Sequence, residues 1–103
     1  MVCFVQFKVE PNDLERFLAT AREVMEATQP EQGRIVYRYG ADIVDPTLFH
    51  ITEVWESREA LEAHTRTAHF AKAMSILPAL AIIDPVETWT GPLVYERVQV
   101  RTD

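Results

Sequence analysis

Cysteine and glycine are both scarce in this chain of 103 residues, which contains one cysteine, Cys3, and three glycines. A single cysteine excludes an internal disulfide framework and any zinc cluster built on cysteines, and it fits a reducing compartment. Three glycines are too few for a glycine-rich phosphate loop or a dinucleotide cradle. We therefore expect a cytoplasmic protein that holds no nucleotide, flavin or other cofactor.

Basic residues and long apolar runs are also limited. Lysine and arginine number 10 against 16 acidic residues, the formal net charge is -6, and the basic positions are scattered. Nucleic acid binding needs clustered positive charge, so this class of partner is not expected. The most apolar stretch, residues 73–83, contains Pro78 and is shorter than the roughly 18 residues that cross a bilayer, and the chain starts without a secretory signal. Neither a membrane span nor export is expected.

Hydrophobic periodicity predicts an alternation of strands and helices. Ser57 and Thr67 are each placed to cap a helix, so the second helical region is expected to break near Thr67. The predicted elements are a strand at residues 2–9, a helix from 14 to about 28–30, strands at 34–40 and 47–56, helical segments after 57 and from 67 to about 77, and a long last strand at 84–100 interrupted at Gly91-Pro92. On the second strand, alternation puts Ile35, Tyr37 and Tyr39 on one face and Val36 and Arg38 on the other.

The order β-α-β-β-α-β is that of an α+β fold, the split βαβ arrangement of ferredoxin-like domains, in which an antiparallel sheet carries both helices on one face. No repeat or linker divides the chain, so we expect one domain over residues 1–103, with a core at about 2–90 and a C-terminal strand extension at 91–103. The second face of the sheet is too apolar for open water. We expect a second copy of the chain to cover it, giving a homodimer.

The predicted third strand carries the most chemistry. Its alternation puts Glu53 on the same face as Ile51 and Trp55, where a carboxylate is costly unless it is paired, hydrated or used. Glu53 is interpreted either as a pocket carboxylate or as a strand-end residue that pairs with an arginine such as Arg38 or meets solvent. Trp55 by itself is more often a core residue than a site residue.

Two histidines lie in the second helical region. His64 shares a helical stripe with Ala60 and Leu61, so its imidazole is expected to face the sheet, either as a hydrogen-bonded core residue or as a general base. His69 follows the Thr67 cap and is expected to donate to the backbone. The spacing of the two histidines is not the i, i+4 arrangement of metal ligands on one helix face, so no metal site is expected.

Several of these residues together resemble the antibiotic biosynthesis monooxygenase family. The matching positions occur in the family's order: Glu31-x-Gly33, Tyr37, Asp45-Pro46, Glu53-Val54-Trp55-Glu56-Ser57, Ala60-Leu61, His64 and His69-Phe70. The resemblance covers about residues 2–89 and is most specific in its middle third. It implies a ferredoxin-like fold, a dimeric α/β barrel, and a pocket between the sheet and the helices.

The resemblance also implies a function. The best characterised members are cofactor-free oxygenases that convert phenols or quinols into quinones, so a small aromatic substrate and molecular oxygen are expected. Carried over to this sequence, His64 is expected to be the catalytic base, and Glu53 to orient either His64 or the substrate. The residues expected to bind substrate, several as aromatic walls, are Tyr37, Arg38, Tyr39, Trp55, His69 and Phe70.

Departures from the family pattern leave alternatives open. Arg34 follows Gly33 where the family usually has cysteine, so the pocket mouth could be more cationic and meet an acidic substrate. Haem-degrading relatives have a ligating histidine where this chain has Met74, and a tryptophan where it has His64, so haem oxygenation is not expected. An isomerase of a small phosphorylated sugar-like ketone and a non-catalytic dimeric binding or stress protein both remain open.

Overall fold

The computed structural model describes residues 1–83, 87–91 and 94–98. Its elements in chain order are β1 (Val2–Val9), α1 (Leu14–Thr28), β2 (Arg34–Ala41), β3 (Leu48–Trp55), α2 (Arg58–Thr65), α3 (Ala68–Leu80), β4 (Ala81–Ile83) and β5 (Glu87–Trp89), with a 3-10 turn at Pro11–Asp13 before α1. The break expected near Thr67 is present, between α2 and α3. None of the described helices is both long and apolar enough to span a bilayer.

The strands form an antiparallel sheet in the order β2-β3-β1-β4, and β5 also pairs with β1. β1 is central because β3 occupies one of its edges, from Val2 opposite Val54 to Lys8 opposite Leu48. The short strands β4 and β5 pair with the other edge of β1. This strand order is that of a ferredoxin-like fold, so the predicted α+β fold class is confirmed.

The hydrophobic core lies between one face of the sheet, here called the inner face, and helices α1 and α3. Phe7 and Ile51 contribute to it from the sheet, Phe17 from α1 and Leu77 from α3, and all four are almost inaccessible to solvent. Burying each such side chain stabilises the fold by roughly 1.5–3 kcal/mol. The core therefore fixes the helices on the inner face, and the described helices leave the opposite, outer face uncovered.

Strand β2 differs from its predicted alternation at its start. Arg34 pairs with Trp55 and Val36 with Val54, so Ile35 is an extra residue in a β-bulge. A bulge interrupts the strict alternation of side chains, which is why Ile35 lies beside Val54 on the outer face instead of with Tyr37. The prediction that Ile35 shares a face with Tyr37 was wrong.

The long last strand was also predicted incorrectly. Of the predicted strand at 84–100, the described residues form only β5, and residues 94–98 are exposed without regular secondary structure; β4 precedes the predicted strand. Residues 84–86, 92–93 and 99–103, which include part of the predicted strand and Pro92, lie outside the described residues. Helix α3 continues past the predicted end at about Leu77 to Leu80, although Pro78 lies inside it and has no N–H to bond the carbonyl of Met74.

Candidate functional site

Glu53 and Trp55 lie on the inner face of β3, as the alternation predicted. Trp55 is almost fully buried, and its indole Nε1–H donates to Glu53 Oε1 over 3.0 Å. Across the sheet, Glu53 is paired with Cys3 of β1 and Tyr37 of β2. The carboxylate is therefore held by one hydrogen bond within a largely apolar surface, which favours the interpretation as a pocket carboxylate over the exposed alternative.

The surroundings of Glu53 favour its protonated form. Burial raises the pKa of this carboxyl, because the ionised form loses its hydration, and the negative charge of Glu31 raises it further. The Trp55 hydrogen bond and the positive charge of protonated His64 act in the opposite direction, but the net shift is upward. A carboxyl with a raised pKa is a better proton acceptor than an ordinary surface glutamate.

His64 lies on α2 with 1% of its surface exposed, which agrees with the expectation that it faces the sheet. Its ring centre lies 4.8 Å from that of Trp55 and 5.1 Å from those of Tyr37 and Phe70. Its Nδ1 pairs with Glu31 Oε2 over 2.8 Å. The carboxylate that orients this imidazole is therefore Glu31, and no hydrogen bond joins His64 to Glu53 among the described residues.

His69 approaches the same carboxylate oxygen. Its Nε2 lies 2.7 Å from Glu31 Oε2, so the predicted bond to the backbone was wrong. The five-residue spacing of the histidines counted against a metal site only for ligands on one helix. His64 is on α2 and His69 on α3, so that argument does not apply. Three potential ligand atoms, from Glu31, His64 and His69, all lie within 4.8 Å of one another.

Two capped helix starts produce this convergence. The Ser57 side chain accepts from the Ala60 N–H at the start of α2, and the Thr67 hydroxyl accepts from the Phe70 N–H at the start of α3. Thr67 also donates to the carbonyl of His64 over 2.8 Å. The chain therefore turns immediately after His64, and this turn brings His69 to the same carboxylate.

The turn between α1 and β2, here called the Glu31 turn, carries Glu31, and Gly33 allows it to pack against α2. The φ of Gly33 is +83°, and a Cβ at this position would lie 2.5 Å from the Cβ of Ala60. The Gly33 carbonyl also accepts from the Glu56 N–H over 2.8 Å. Only glycine combines this backbone conformation with this close approach, so the turn can place Glu31 beside both histidines.

Glu31 has the opposite electrostatic character to Glu53. Burial alone would raise the pKa of its carboxyl, but hydrogen bonds and positive charge from His64 and His69 outweigh burial and lower it. A carboxylate that accepts two N–H donors is stabilised in its ionised form. Periodicity gave no sign of this residue, and only its place in the family pattern, Glu31-x-Gly33, pointed to it.

A cavity of about 140 Å³ lies beside this cluster, between the sheet and α3. Glu53, Tyr37, Tyr39 and Phe70 line it, as does Met74, which was not among the predicted site residues. The remaining lining residues are aliphatic or aromatic: Val5, Phe7 and Ile51. His64 and Trp55 lie outside this lining, and Glu53 is the residue with a carboxyl group among the described lining residues.

The two tyrosines of the cavity remain protonated at neutral pH. Burial raises the pKa of Tyr39 to about 12, and burial together with its neighbour Tyr39 raises that of Tyr37 far above its ordinary value. Their hydroxyl oxygens lie 3.3 Å apart. They can therefore donate hydrogen bonds to a bound anion, but they cannot act as bases.

The two arginines considered for substrate binding lie elsewhere. Arg38 is exposed and pairs with Thr52 in the register, which places it on the outer face of the sheet, away from the cavity. Arg34 donates to the backbone carbonyls of Gln29 and Ile35 over 3.0 and 2.8 Å. Neither arginine lines the cavity, because strand alternation directs Arg38 outward and backbone bonds hold Arg34 at the turn.

Comparisons with known proteins cover the part of the chain that carries the site. Residues 1–75, which include all the site residues above, match the family model for antibiotic biosynthesis monooxygenases. A Bacillus subtilis (strain 168) protein named "Putative monooxygenase YcnE" is 30% identical over 76 residues, covering 70% of this chain and 80% of that protein.

Solved structures show the same fold. A Bacteroides thetaiotaomicron protein described as a possible oxidoreductase is 30% identical with a TM-score of 0.78, covering 84% of this chain and 90% of its own. A crystal structure of an antibiotic biosynthesis monooxygenase is 25% identical with a TM-score of 0.76, covering 88% of this chain and 100% of its own. Because the family model matches residues 1–75, the chain belongs to the antibiotic biosynthesis monooxygenase family.

Proposed function

We propose that this protein is a monooxygenase that needs no organic cofactor and oxidises a small phenol or quinol with one ring to a quinone. The observation that carries the proposal is a cavity of about 140 Å³ with aromatic and aliphatic walls and one carboxyl, that of Glu53. An apolar cavity of roughly 150 Å³ holds one benzene-sized ring. The volume therefore favours a single-ring substrate.

The residues that line the cavity also favour an oxygenase over the isomerase that the sequence left open. A phosphorylated ketone would need positive charge or several backbone N–H groups near its phosphate. No basic side chain occurs among the described residues that line the cavity, and Arg34 and Arg38 lie outside it. The cavity fits a neutral aromatic ring better than a phosphate ester.

Glu53 is the proposed proton acceptor, since it faces the cavity directly. His64 was expected to be the base, but the rings of Tyr37 and Phe70 line the cavity while His64 lies behind them. We therefore assign His64 a positioning role: Glu31 holds its imidazole, and in its protonated form it lowers the pKa of Glu53. The Tyr37 and Tyr39 hydroxyls would donate to the phenolate that forms.

The proposed reaction balances without a further reductant. Glu53 takes the phenolic proton, and the phenolate gives one electron to molecular oxygen, leaving a phenoxyl radical and superoxide. These combine to form a carbon–oxygen bond, and the resulting peroxide takes the proton back from Glu53. Loss of water, made from the ring hydrogen and the outer peroxide OH, leaves the second carbonyl of the quinone. The protein supplies desolvation, orientation and proton transfer.

The homodimer remains part of the proposal. Phe4, Ile35 and Trp89 on the outer face are about half exposed, and Phe4 packs edge-on against Trp89 at 5.3 Å. A contiguous apolar surface of this kind favours burial against a second copy. Light scattering on a size-exclusion column should give the mass of a dimer, and a monomer at micromolar concentration would contradict it.

An oxygen electrode tests the activity directly. Purified protein should consume oxygen with single-ring hydroquinones faster than spontaneous oxidation, and more slowly with a bicyclic naphthoquinol that exceeds the cavity. Glu53→Gln keeps the acceptor for Trp55 and should lower kcat by about 10²–10⁴-fold. His64→Asn keeps a donor toward Glu31 and should cause a smaller loss, while His50→Asn on the outer face should leave the rate unchanged.

Two results would overturn the proposal. One is oxygen uptake by the wild type no faster than spontaneous oxidation across the panel of quinols. The other is a Glu53→Gln variant with the wild-type rate, which would remove Glu53 from the chemistry even if the enzyme were active.

A further inference from the structure

We propose that Glu31, His64 and His69 form a binding site for one divalent first-row transition-metal ion. Glu31 Oε2 lies 2.8 Å from His64 Nδ1 and 2.7 Å from His69 Nε2, and the three atoms lie within 4.8 Å of one another. Two imidazoles and one carboxylate are the ligand set of many zinc and non-haem iron sites. None of the three residues lines the cavity, so this is a separate site.

The spacing of the three atoms is close to that of a loaded site. Metal–ligand bonds of about 2.1 Å allow ligand atoms to lie no more than about 4.2 Å apart. The three atoms lie within 4.8 Å of one another. A rotation of the His69 side chain that moves Nε2 by a fraction of an ångström therefore brings all three within the limit of about 4.2 Å. The two oxygen–nitrogen distances of 2.8 and 2.7 Å are hydrogen-bond lengths. They must lengthen to about 2.9–3.4 Å, the spacing of adjacent ligands around one ion, when the ion replaces the shared protons.

The cluster is buried on one side and open on the other. The side chains of His64, Glu31 and His69 are 2%, 14% and 23% exposed. His64 is thus a fixed ligand at the base of the site, and His69 lies at its solvent side. An ion can enter past His69 and keep water in its remaining coordination positions.

The surrounding structure holds the ligands in place. Rings of Trp55, Tyr37 and Phe70 surround the His64 imidazole at centre distances of 4.8–5.1 Å. The Glu31 turn is pressed against α2 at Gly33, where no Cβ fits. Such packing reduces the entropy that ligands lose when they bind an ion.

The donor set selects the class of ion. Nitrogen-rich sites favour zinc, iron, cobalt or nickel, whereas calcium and magnesium prefer sites built from oxygen. The oxygenation proposed above does not require this ion, because the substrate itself supplies the electrons. The ion would join the Glu31 turn, α2 and α3, and so should stabilise the folded chain.

Cobalt(II) titration of tag-free protein, stripped with a chelator and desalted, tests the site without substrate. We expect visible absorption bands that saturate at one ion per chain with micromolar or tighter affinity, and zinc that displaces cobalt. Zinc should also raise the thermal midpoint. His69→Ala removes the most exposed ligand. It should weaken binding by about 100-fold or more, because loss of a residue that only supports a ligand already weakens binding by about 10–100-fold.

The outer-face pair His50 and Asp42 provides a matched control. Its His50 Nε2 and Asp42 Oδ1 are 2.9 Å apart, but this pair lacks a second histidine. His50→Ala should bind cobalt as the wild type does, and Glu31→Gln should bind it weakly. The proposal is overturned if the wild type binds no stoichiometric ion, if His69→Ala and Glu31→Gln bind normally while folded by circular dichroism, or if His50→Ala abolishes binding.

Discussion

Glu31 and Glu53 are two carboxylates that both interact with His64, and their environments shift their pKa values in opposite directions. Glu31 accepts from His64 and His69, and its pKa is lowered. Glu53 accepts one indole N–H within an apolar cavity, and its pKa is raised. Both are partly buried, so burial alone does not explain the difference.

The difference lies in the number and charge of the donors. Two imidazole donors compensate Glu31 for its lost hydration, whereas one neutral donor leaves Glu53 undercompensated. Pairs of titratable groups with divergent pKa values often mark acid–base assignments in active sites. Glu31 is thus the ionised anchor of the cluster, and Glu53 is the group suited to exchange a proton.

Removal of the Glu31 carboxylate should have the largest effect on stability. Glu31→Ala leaves the N–H of buried His64 without a partner, and we expect a loss of about 2–3 kcal/mol in the free energy of unfolding. Urea denaturation measures it. Asp42→Ala, which removes the exposed partner of His50, should change the midpoint little, and equal losses in both variants would contradict the account.

Gly33→Ala should displace Glu31 without altering it. The added methyl meets the Cβ of Ala60 and strains a positive φ, so we expect a loss of about 1–3 kcal/mol by the same denaturation method. Gly40→Ala is the matched control, because nothing lies within 4 Å of its Cβ position and its φ is not positive. A second change, Ala60→Gly, should partly restore Gly33→Ala by removing the clash.

Glu53→Gln should stabilise the protein, in contrast to Glu31→Ala. Because the folded-state pKa of Glu53 is raised, ionisation costs stability as pH rises above the ordinary glutamate value of 4.5. The variant should therefore have the higher thermal midpoint at pH 7, and the difference should vanish below about pH 4. A variant less stable than the wild type at pH 7 would mean that Glu53 is a net stabilising group.

The smallest effect should appear in the pH dependence of activity. The charge of protonated His64 lowers the pKa of Glu53, so His64→Asn should raise that pKa. Since Glu53 must be ionised to accept a proton, the acid limb of the kcat/KM profile should move to higher pH. His50→Asn should leave the limb in place, and a limb that stays fixed in His64→Asn would show that the two groups are not coupled.

Local patterns predicted much of the fold and part of the site. Alternation placed Glu53 and Trp55 on one face, and two capping residues located the break near Thr67. Local patterns could not predict that Glu31 meets His64 and His69, because docking of the turn against α2 brings together residues 33 and 38 positions apart in the chain. The bulge at Ile35 was missed for a related reason. The pairing of β2 with β3 determines the bulge, and the sequence of β2 alone does not show it.

Carbon-13 NMR of the glutamate side-chain carboxyl carbons tests the central contrast most directly. Glu31→Gln and Glu53→Gln assign the two signals, and a titration in wild-type protein follows both as the pH falls. The account predicts that Glu53 gains its proton above the ordinary value of 4.5 and Glu31 below it. Protonation of Glu31 at or above the pH at which Glu53 is protonated would contradict it.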